Sequence, residues 1–355
     1  MTSVPNSSNR RFPAEWEPHD ATWLSWPHEE SDFPLKLSAV RWAYAEMVRH
    51  LARSERVEIL CHDEETRANA VECLRLHAVD PKTYRIHDFA TDRGWLRDSA
   101  PTAVLTSSGL EWIAWKFNAW AKYDNYAADA QIPAYVSKTT ERGMVEAMRP
   151  DGKGRLVLEG GAIETDGLGT MLTTEQCLLS PIQERNPGLT REGYESAFAE
   201  SLGIQKTIWI AGTCSGDDTH GHIDDAARFV APGVVVVAVE NDSSDENYAV
   251  SQENKKMLQS ATDARGRKLE IIELPMPAPL YYGDERLPAS YANFYIANSV
   301  VIVPTFNDPL DRVVLSKLEG LFPTRTVVGI HAVDFILGYG SLHCSTQQQP
   351  AHQRS

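Results

Sequence analysis

Cysteine is scarce in this chain, and the few residues stand apart. Five occur in 355 residues, at positions 61, 73, 177, 214 and 344. An odd, unclustered set with no CxxC pair predicts neither a disulfide framework nor a thiolate zinc site. It points instead to a reducing, cytoplasmic setting. Long apolar runs are also missing: none reaches the roughly 18 residues a membrane span requires. The segment Met1–Arg11 is polar and lacks an apolar stretch, which predicts no secretory signal. Neither GxGxxG after a strand nor GxxxxGK[ST] appears, so nucleotide-binding readings lose their main support. Positive charge is in short supply as well. Lys and Arg number 34 against 49 Asp and Glu, a formal net charge of −15. Such a surface repels phosphate backbones, which counts against nucleic acid as a partner and mildly favours small cations.

What is present suits a folded α/β chain. Hydrophobic residues make up 42% and charged residues 23%, enough apolar material for a sizeable core. Amphipathic periodicity predicts helices over Pro34–Ser54, Glu64–His77, Ser137–Met148, Thr190–Leu202, Glu246–Ala264 and Pro309–Leu321. Short apolar runs predict strands at Val57–Cys61, Trp112–Phe117, Arg155–Leu158, Gly169–Leu172, Thr207–Ala211, Val234–Val239, Leu269–Leu274, Val300–Pro304 and Thr326–Ile330. Their alternation is that of an α/β fold. No Pro/Gly/Ser-rich linker divides the chain, so one domain over 1–355 is expected. Its apolar helices are of a kind that can support a homodimer.

Polar clusters recur along this pattern. Counted from Asp98, Glu159, His222, Asn293 and Cys344, they lie 61, 63, 71 and 51 residues apart. Most intervals hold one helical segment. The spacing suggests about five supersecondary units, each contributing a polar group to a shared centre. Coincidence in a chain rich in polar turns is the plainer alternative.

Taken singly, each cluster is ambiguous. A free Cys is usually a small core hydrophobe, but Cys344 sits in Gly338-Tyr339-Gly340-Ser341-Leu342-His343-Cys344-Ser345, where glycines let a ligand approach. His222 and Asp224 are two residues apart, a His and a carboxylate fit for proton transfer. The same stretch, with Asp217, Asp218 and His220, also reads as a metal site or as a solvated loop. Glu159-Gly160-Gly161 and Arg97-Asp98 are alone no more than a turn and an ion pair. Together, carboxylates that grip a planar guanidinium, Trp95 as an aromatic face, a thiol and an imidazole are what attack at a guanidinium carbon requires.

The sequence resembles the agmatine deiminase/bacterial peptidylarginine deiminase family of the guanidine-modifying superfamily. The resemblance spans nearly the whole chain. It rests on Pro13-Ala14-Glu15-Trp16-Glu17-Pro18-His19, Trp23-Leu24-Ser25-Trp26-Pro27, Arg97-Asp98, Lys116-Phe117-Asn118-Ala119-Trp120, Leu158-Glu159-Gly160-Gly161, Gly221-His222-Ile223-Asp224, Ser290-Tyr291-Ala292-Asn293-Phe294-Tyr295 and His343-Cys344-Ser345-Thr346-Gln347-Gln348. It implies a five-bladed α/β propeller of ββαβ units, with Cys344 as nucleophile and His222 as general acid/base. Asp98 and Asp224 would grip the guanidinium, Glu159 would orient His222, Trp95 would line the site, and Asn293 would contact substrate or nearby backbone. It implies no metal and no organic cofactor, and agmatine as substrate. Deimination of peptidyl or free arginine, amidine transfer to an amine, and non-catalytic binding of a guanidino ligand or a protein partner are the alternatives. Departures from the family pattern are Ser99-Ala100 where Thr-Gly is frequent, and His220 where Asp is common. Glu164 stands where His is common, and Ala121 and Tyr339 where Gly is usual.

Overall fold

A computed structural model of the protein describes residues 10–352. Residues 1–9, most of the Met1–Arg11 segment read above for a secretory signal, lie outside it, as do 353–355. The α/β class is confirmed, and one pattern of pairing recurs in five sheets. An antiparallel strand pair comes first. A helix then leads to a further strand, parallel to the second of the pair. A parallel neighbour cannot be reached by a tight turn, so each unit needs that helical crossover.

In the second sheet the strands are Thr102–Thr106, Gly109–Ala114 and Gly143–Glu146. In the third they are Glu164–Thr165, Thr170–Thr174 and Lys206–Ile210. The fourth holds Ala227–Ala231, Val234–Val239 and Glu270–Pro275, and the fifth Tyr295–Ile296, Val300–Thr305 and Thr326–His331. The first sheet joins the two ends of the chain. Thr346–Pro350 pairs antiparallel with His19–Ser25, which is followed by parallel Arg56–Cys61 and a fourth strand, Tyr84–Asp88. A separate ribbon pairs Tyr281–Tyr282 with Glu285–Arg286.

The crossover helices also bridge between sheets. Tyr248–Ser260 packs on its own sheet and on Lys206–Ile210 of the third. Leu310–Leu321 packs on its own sheet and on Glu270–Pro275 of the fourth. Leu37–Leu51 packs on Arg56–Cys61 and also on the last two strands of the fifth sheet. Its buried face, including Val40, Tyr44, Met47, Val48 and Leu51, belongs to the same apolar cluster as Val301, Val303 and Ile330. Among the described residues, no helix is long and apolar enough to cross a membrane.

Two elements differ from expectation. The helix expected at 137–148 is Ile132–Thr140, followed by the strand Gly143–Glu146. Pro133 stands in its first turn, where a missing N–H costs nothing, and Glu141 ends it in a left-handed conformation at φ 53°. The strand expected at Arg155–Leu158 makes only isolated bridges, Lys116 with Val157 and Met148 with Arg155.

The periodic spacing of the polar clusters now has a structural meaning. Asp98, Glu159, Asp224, Asn293 and Cys344 each fall two to five residues before the first strand of an antiparallel pair. The short turns that carry Asp98, Glu159 and Asp224 (96–99, 160–162 and 223–225) touch one another in sequence.

Candidate active site

Asp98 lies in the single helical turn Leu96–Ser99, and both of its oxygens are occupied. The Gly161 N–H donates to Oδ1 at 3.0 Å, and the Trp120 indole N–H donates to Oδ2 at 2.8 Å. Two donors on opposite oxygens fix the plane of the carboxylate. Burial, followed by the opposing pull of His222 and the repulsion of Asp224 and Glu159, leaves the Asp98 carboxyl raised to about 6.

His222 is fully buried, its ring between two acids. Nδ1 lies 3.6 Å from Asp98 Oδ1 and Nε2 lies 3.5 Å from Glu159 Oε2. These are ion-pair contacts slightly too long for hydrogen bonds, and neither ring nitrogen has a hydrogen-bond partner among the described residues. Burial opposes the charged ring, but Asp98, Glu159 and Asp224 outweigh it and raise His222 to about 9. The imidazolium is therefore the form present at neutral pH.

Cys344 is 5% exposed. Its Sγ is 3.6 Å from Asp224 Oδ2 and accepts from the Asn293 side-chain N–H at 3.0 Å. Asn293 also shapes the turn that carries the thiol. Its Oδ1 accepts from the Ser341 hydroxyl at 2.9 Å, from the His343 N–H at 3.0 Å and from the Cys344 N–H at 3.3 Å. Burial, then Asp224, Asp225 and Asp98, push the Cys344 thiol well above its ordinary value. Asp224 Oδ2 accepts from His343 Nδ1 at 2.7 Å, whereas its Oδ1 is buried with no partner among the described residues.

The second glycine of Glu-Gly-Gly is needed for space, not for a turn. A Cβ on Gly161 would lie 2.5 Å from His222 Nδ1, 2.8 Å from Asp98 Oδ1 and 3.2 Å from Asp224 Oδ2. Any side chain there would occupy the point on which the three groups converge.

A cavity of about 250 Å³ opens onto this centre. Cys344, Asp98 and Trp95 line it, with Trp120 as a second aromatic wall and Asp32, Arg93, Tyr123, Asp218 and Tyr339 nearby. Asn293, His222, Glu159 and Asp224 are not part of that lining and stand behind it. All seven residues singled out from the sequence are thus drawn to one place, with Asn293 bonded to the turn that carries Cys344.

The metal-site alternative for 217–224 does not assemble. Asp217 caps its own loop through the Thr219 and Gly221 N–H groups. Asp218 pairs with Lys122 and accepts from the Tyr123 hydroxyl, and His220 bonds Ser180. Three nearby groups escaped the sequence reading. Trp120 lay inside a quoted motif, but nothing marked it as the partner of Asp98. Arg185, whose Nε lies 3.1 Å from Glu159 Oε1, sits in a polar stretch with no periodicity. Asp32 accepts from the Trp95 indole N–H at 3.1 Å and pairs with Arg93, and its own neighbours gave no signal.

A thiol, an imidazolium and convergent carboxylates within an α/β frame define a class, the guanidine-modifying proteins. The comparisons narrow this. Residues 11–350 match the family model of the Porphyromonas-type peptidyl-arginine deiminase, and the chain belongs to that family. It is 36% identical to an agmatine deiminase of Stutzerimonas stutzeri, over 99% of this chain and 98% of the relative. Among solved structures, the agmatine deiminase of Enterococcus faecalis matches with a TM-score of 0.87 at 27% identity, covering 99% of both chains. A C. jejuni agmatine deiminase with substrate bound matches with a TM-score of 0.85 at 28% identity, covering 97% of both.

Proposed function

We propose that the protein hydrolyses the guanidinium group of agmatine to N-carbamoylputrescine and ammonia, and that residues 1–355 form one catalytic domain. The observation that carries this reading is the set of buried polar atoms without partners. Among the described residues these include Asp224 Oδ1, an acceptor beside Cys344, and both N–H groups of the His222 imidazolium, which are free to donate a proton to a departing nitrogen. Buried polar groups are rarely left unpaired without a function. A guanidinium supplies donors on three nitrogens around one carbon, and carboxylates accept them well. Whole-chain identity to an agmatine deiminase supports the choice of substrate.

The substrate cation enters past Trp95 and lodges against Asp98 and Asp224. Its charge offsets the repulsion these acids exert on a thiolate, so Cys344 releases its proton to solvent through the cavity as substrate arrives, while His222 keeps its own. Sγ then attacks the guanidinium carbon. His222 gives its proton to the departing nitrogen, ammonia leaves, and an S-alkylthiouronium remains on Cys344. Neutral His222 next takes a proton from water, whose oxygen adds to the same carbon. The C–S bond breaks, the thiolate takes the remaining hydroxyl proton to restore the Cys344 thiol, and the neutral ureido product leaves. Glu159 orients His222 throughout.

The finer architecture belongs to the same proposal: five ββαβ blades around a pseudo-fivefold axis, with the site at the centre. The pairing of the last strand with the first sheet, and the packing of Leu37–Leu51 on the fifth sheet, support such closure. A small cationic partner and a cytoplasmic setting, the latter resting on the sparse cysteines, complete it.

One feature favours a second reading, deimination of free or peptidyl arginine: the cation of Arg93 stands in the cavity, although Asp32 already pairs with it. Parallel assay of ammonia and ureido product with agmatine, arginine and an arginyl peptide decides between them. The proposal expects agmatine to be preferred. Turnover confined to arginine or the peptide would overturn it.

A further inference from the structure

Glu159 lies between two cations, and only one of them is near the cavity. On the inner side is His222. On the outer side is Arg185, whose side chain is fully buried. Arg185 Nε donates toward both Glu159 oxygens, at 3.1 and 3.4 Å. Its remaining donors go to backbone: Nη1 to the Gln183 carbonyl at 2.8 Å and Nη2 to the Thr219 carbonyl at 2.5 Å. The guanidinium is held on three sides and does not line the cavity, so it touches neither substrate nor the reacting sulfur.

The electrostatics explain what such a cation does. A carboxylate taken wholly out of water tends to recover a proton. Burial acts on Glu159 in that sense, but the charge of Arg185, followed by the adjacent His222 ring, outweighs it and leaves the carboxyl below its ordinary value. Without Arg185, Glu159 has only the imidazole to share, in a pocket where Asp98 and Asp224 already compete for the same ring. The groups facing His222 are Asp98 from its helical turn, Glu159 from the Glu-Gly-Gly turn, Asp224 from its own turn and the Cys177 thiol from the helix 175–179. Of these, Glu159 is the one whose carboxylate is bonded directly to an arginine.

We propose that Arg185 is a positioning residue, which holds Glu159 as the carboxylate partner of His222 and so sets how firmly His222 keeps its proton. The inference deepens the deiminase reading given above and rests on it only for its kinetic consequence. Losing the arginine should act on His222 as losing the charge of Glu159 does, and the two losses should not add.

NMR titration of the His222 ring tests this without turnover, in the intact wild-type protein and in Arg185→Met, Glu159→Gln, the double variant and Arg185→Lys. The expected result is a fall in the His222 titration point of about one pH unit or more in either single variant, with no further fall in the double. Arg185→Lys keeps the charge but loses the fork to the two carbonyls. It should keep most of the wild-type titration while lowering the melting temperature, and it serves where Arg185→Met does not fold. In steady-state assays with agmatine, Arg185→Met and Glu159→Gln should lose ammonia release by the same factor, and the double variant should lose no more. An unchanged His222 titration in Arg185→Met, additive losses in the double, or a fall in Arg185→Lys as large as in Glu159→Gln would overturn the proposal. A wild-type protein inactive on agmatine, yet with the expected titrations, would sink the substrate reading and leave the role of Arg185 standing.

Discussion

Two clusters of buried charge lie side by side in this protein, built from the same residue types and finished differently. In the first, Arg228 spends every nitrogen. Nε donates to Glu164 at 2.9 Å, Nη2 to Glu15 at 2.8 Å, and Nη1 to the Phe294 and Ala292 carbonyls. Glu15 also accepts from His343 Nε2, Arg97 and the Ile296 N–H. In the second cluster, both His222 nitrogens and Asp224 Oδ1 have no hydrogen-bond partner among the described residues, and burial and the neighbouring acids push the Cys344 thiol up. The first cluster is complete in itself. The second keeps a free acceptor, Asp224 Oδ1, which the proposed function fills with the substrate cation. His343 joins the two, with Nε2 on Glu15 and Nδ1 on Asp224, so the structural cluster braces the turn that carries the nucleophile.

If that contrast is right, damage to the two clusters should separate function from stability. The largest functional effect short of losing the thiol is expected from His222→Ala, a loss of roughly 10²–10⁴-fold in kcat, with little change in melting temperature. Gly161→Ala should follow, since its methyl would displace the groups that seat the cation. Misplacement by about 1 Å costs on the order of 10²-fold, and calorimetry should show the fold retained.

Glu15→Gln strikes the other cluster. It leaves Arg228 and Arg97 short of a buried counter-charge and should cost about 3–5 kcal/mol of stability by denaturant unfolding. Burial pushes the Glu15 carboxyl up, but Arg228, His343 and Arg97 outweigh it and hold it well below the usual carboxylate range. Its stabilising contribution is therefore full above the unfolded-state value of about 4.3 and is lost as pH falls toward the lower folded value. In Glu15→Gln that part of the acid sensitivity should disappear.

A milder effect follows from pH alone. The profile of kcat/KM for agmatine should be bell-shaped. It should fall below pH of about 6 as Asp98 takes up a proton, and above about 9 as His222 loses one. A flat profile across this range would mean that neither group titrates in the reaction. The smallest effect is expected at Ala121, exposed and at φ 53°, where the family usually has glycine. Ala121→Gly relieves a left-handed alanine and should stabilise by at most about 1 kcal/mol.

The two clusters also differ in how far they can be read from sequence. The catalytic candidates announce themselves through local motifs, because each sits in a tight turn just ahead of a strand. Asp98, Glu159, His222, Asp224 and Cys344 are all legible, and the spacing of the polar clusters, counted with Asn293, suggests about five units, in keeping with the five sheets that share one pairing pattern. None of the five strands that follow them is legible: Glu164–Thr165 and Tyr295–Ile296 are two residues long, and Thr102–Thr106, Ala227–Ala231 and Thr346–Pro350 carry weak or no apolar alternation. Thr346-Gln347-Gln348-Gln349-Pro350 is buried along its whole length without a single Val, Leu or Ile, Gln348 accepting from Arg97 and Gln349 from the Trp23 indole. Charge pairing across more than 200 residues, as between Glu15 and Arg228, leaves no local trace at all. Glycine was expected at 121 and 339 from the family pattern. The structure supplies the reason, since Ala121 and Tyr339 both adopt positive φ, 53° and 61°.

In the proposed function the open cluster closes on a cation and Cys344 captures its carbon. Acid quenching during turnover with agmatine, followed by peptide mapping by mass spectrometry, tests it most directly. The account predicts a thiouronium adduct on the peptide containing Cys344, equimolar ammonia and N-carbamoylputrescine, and neither adduct nor products from a folded Cys344→Ala variant. Turnover that persists in Cys344→Ala, or an adduct on any other cysteine, would contradict it.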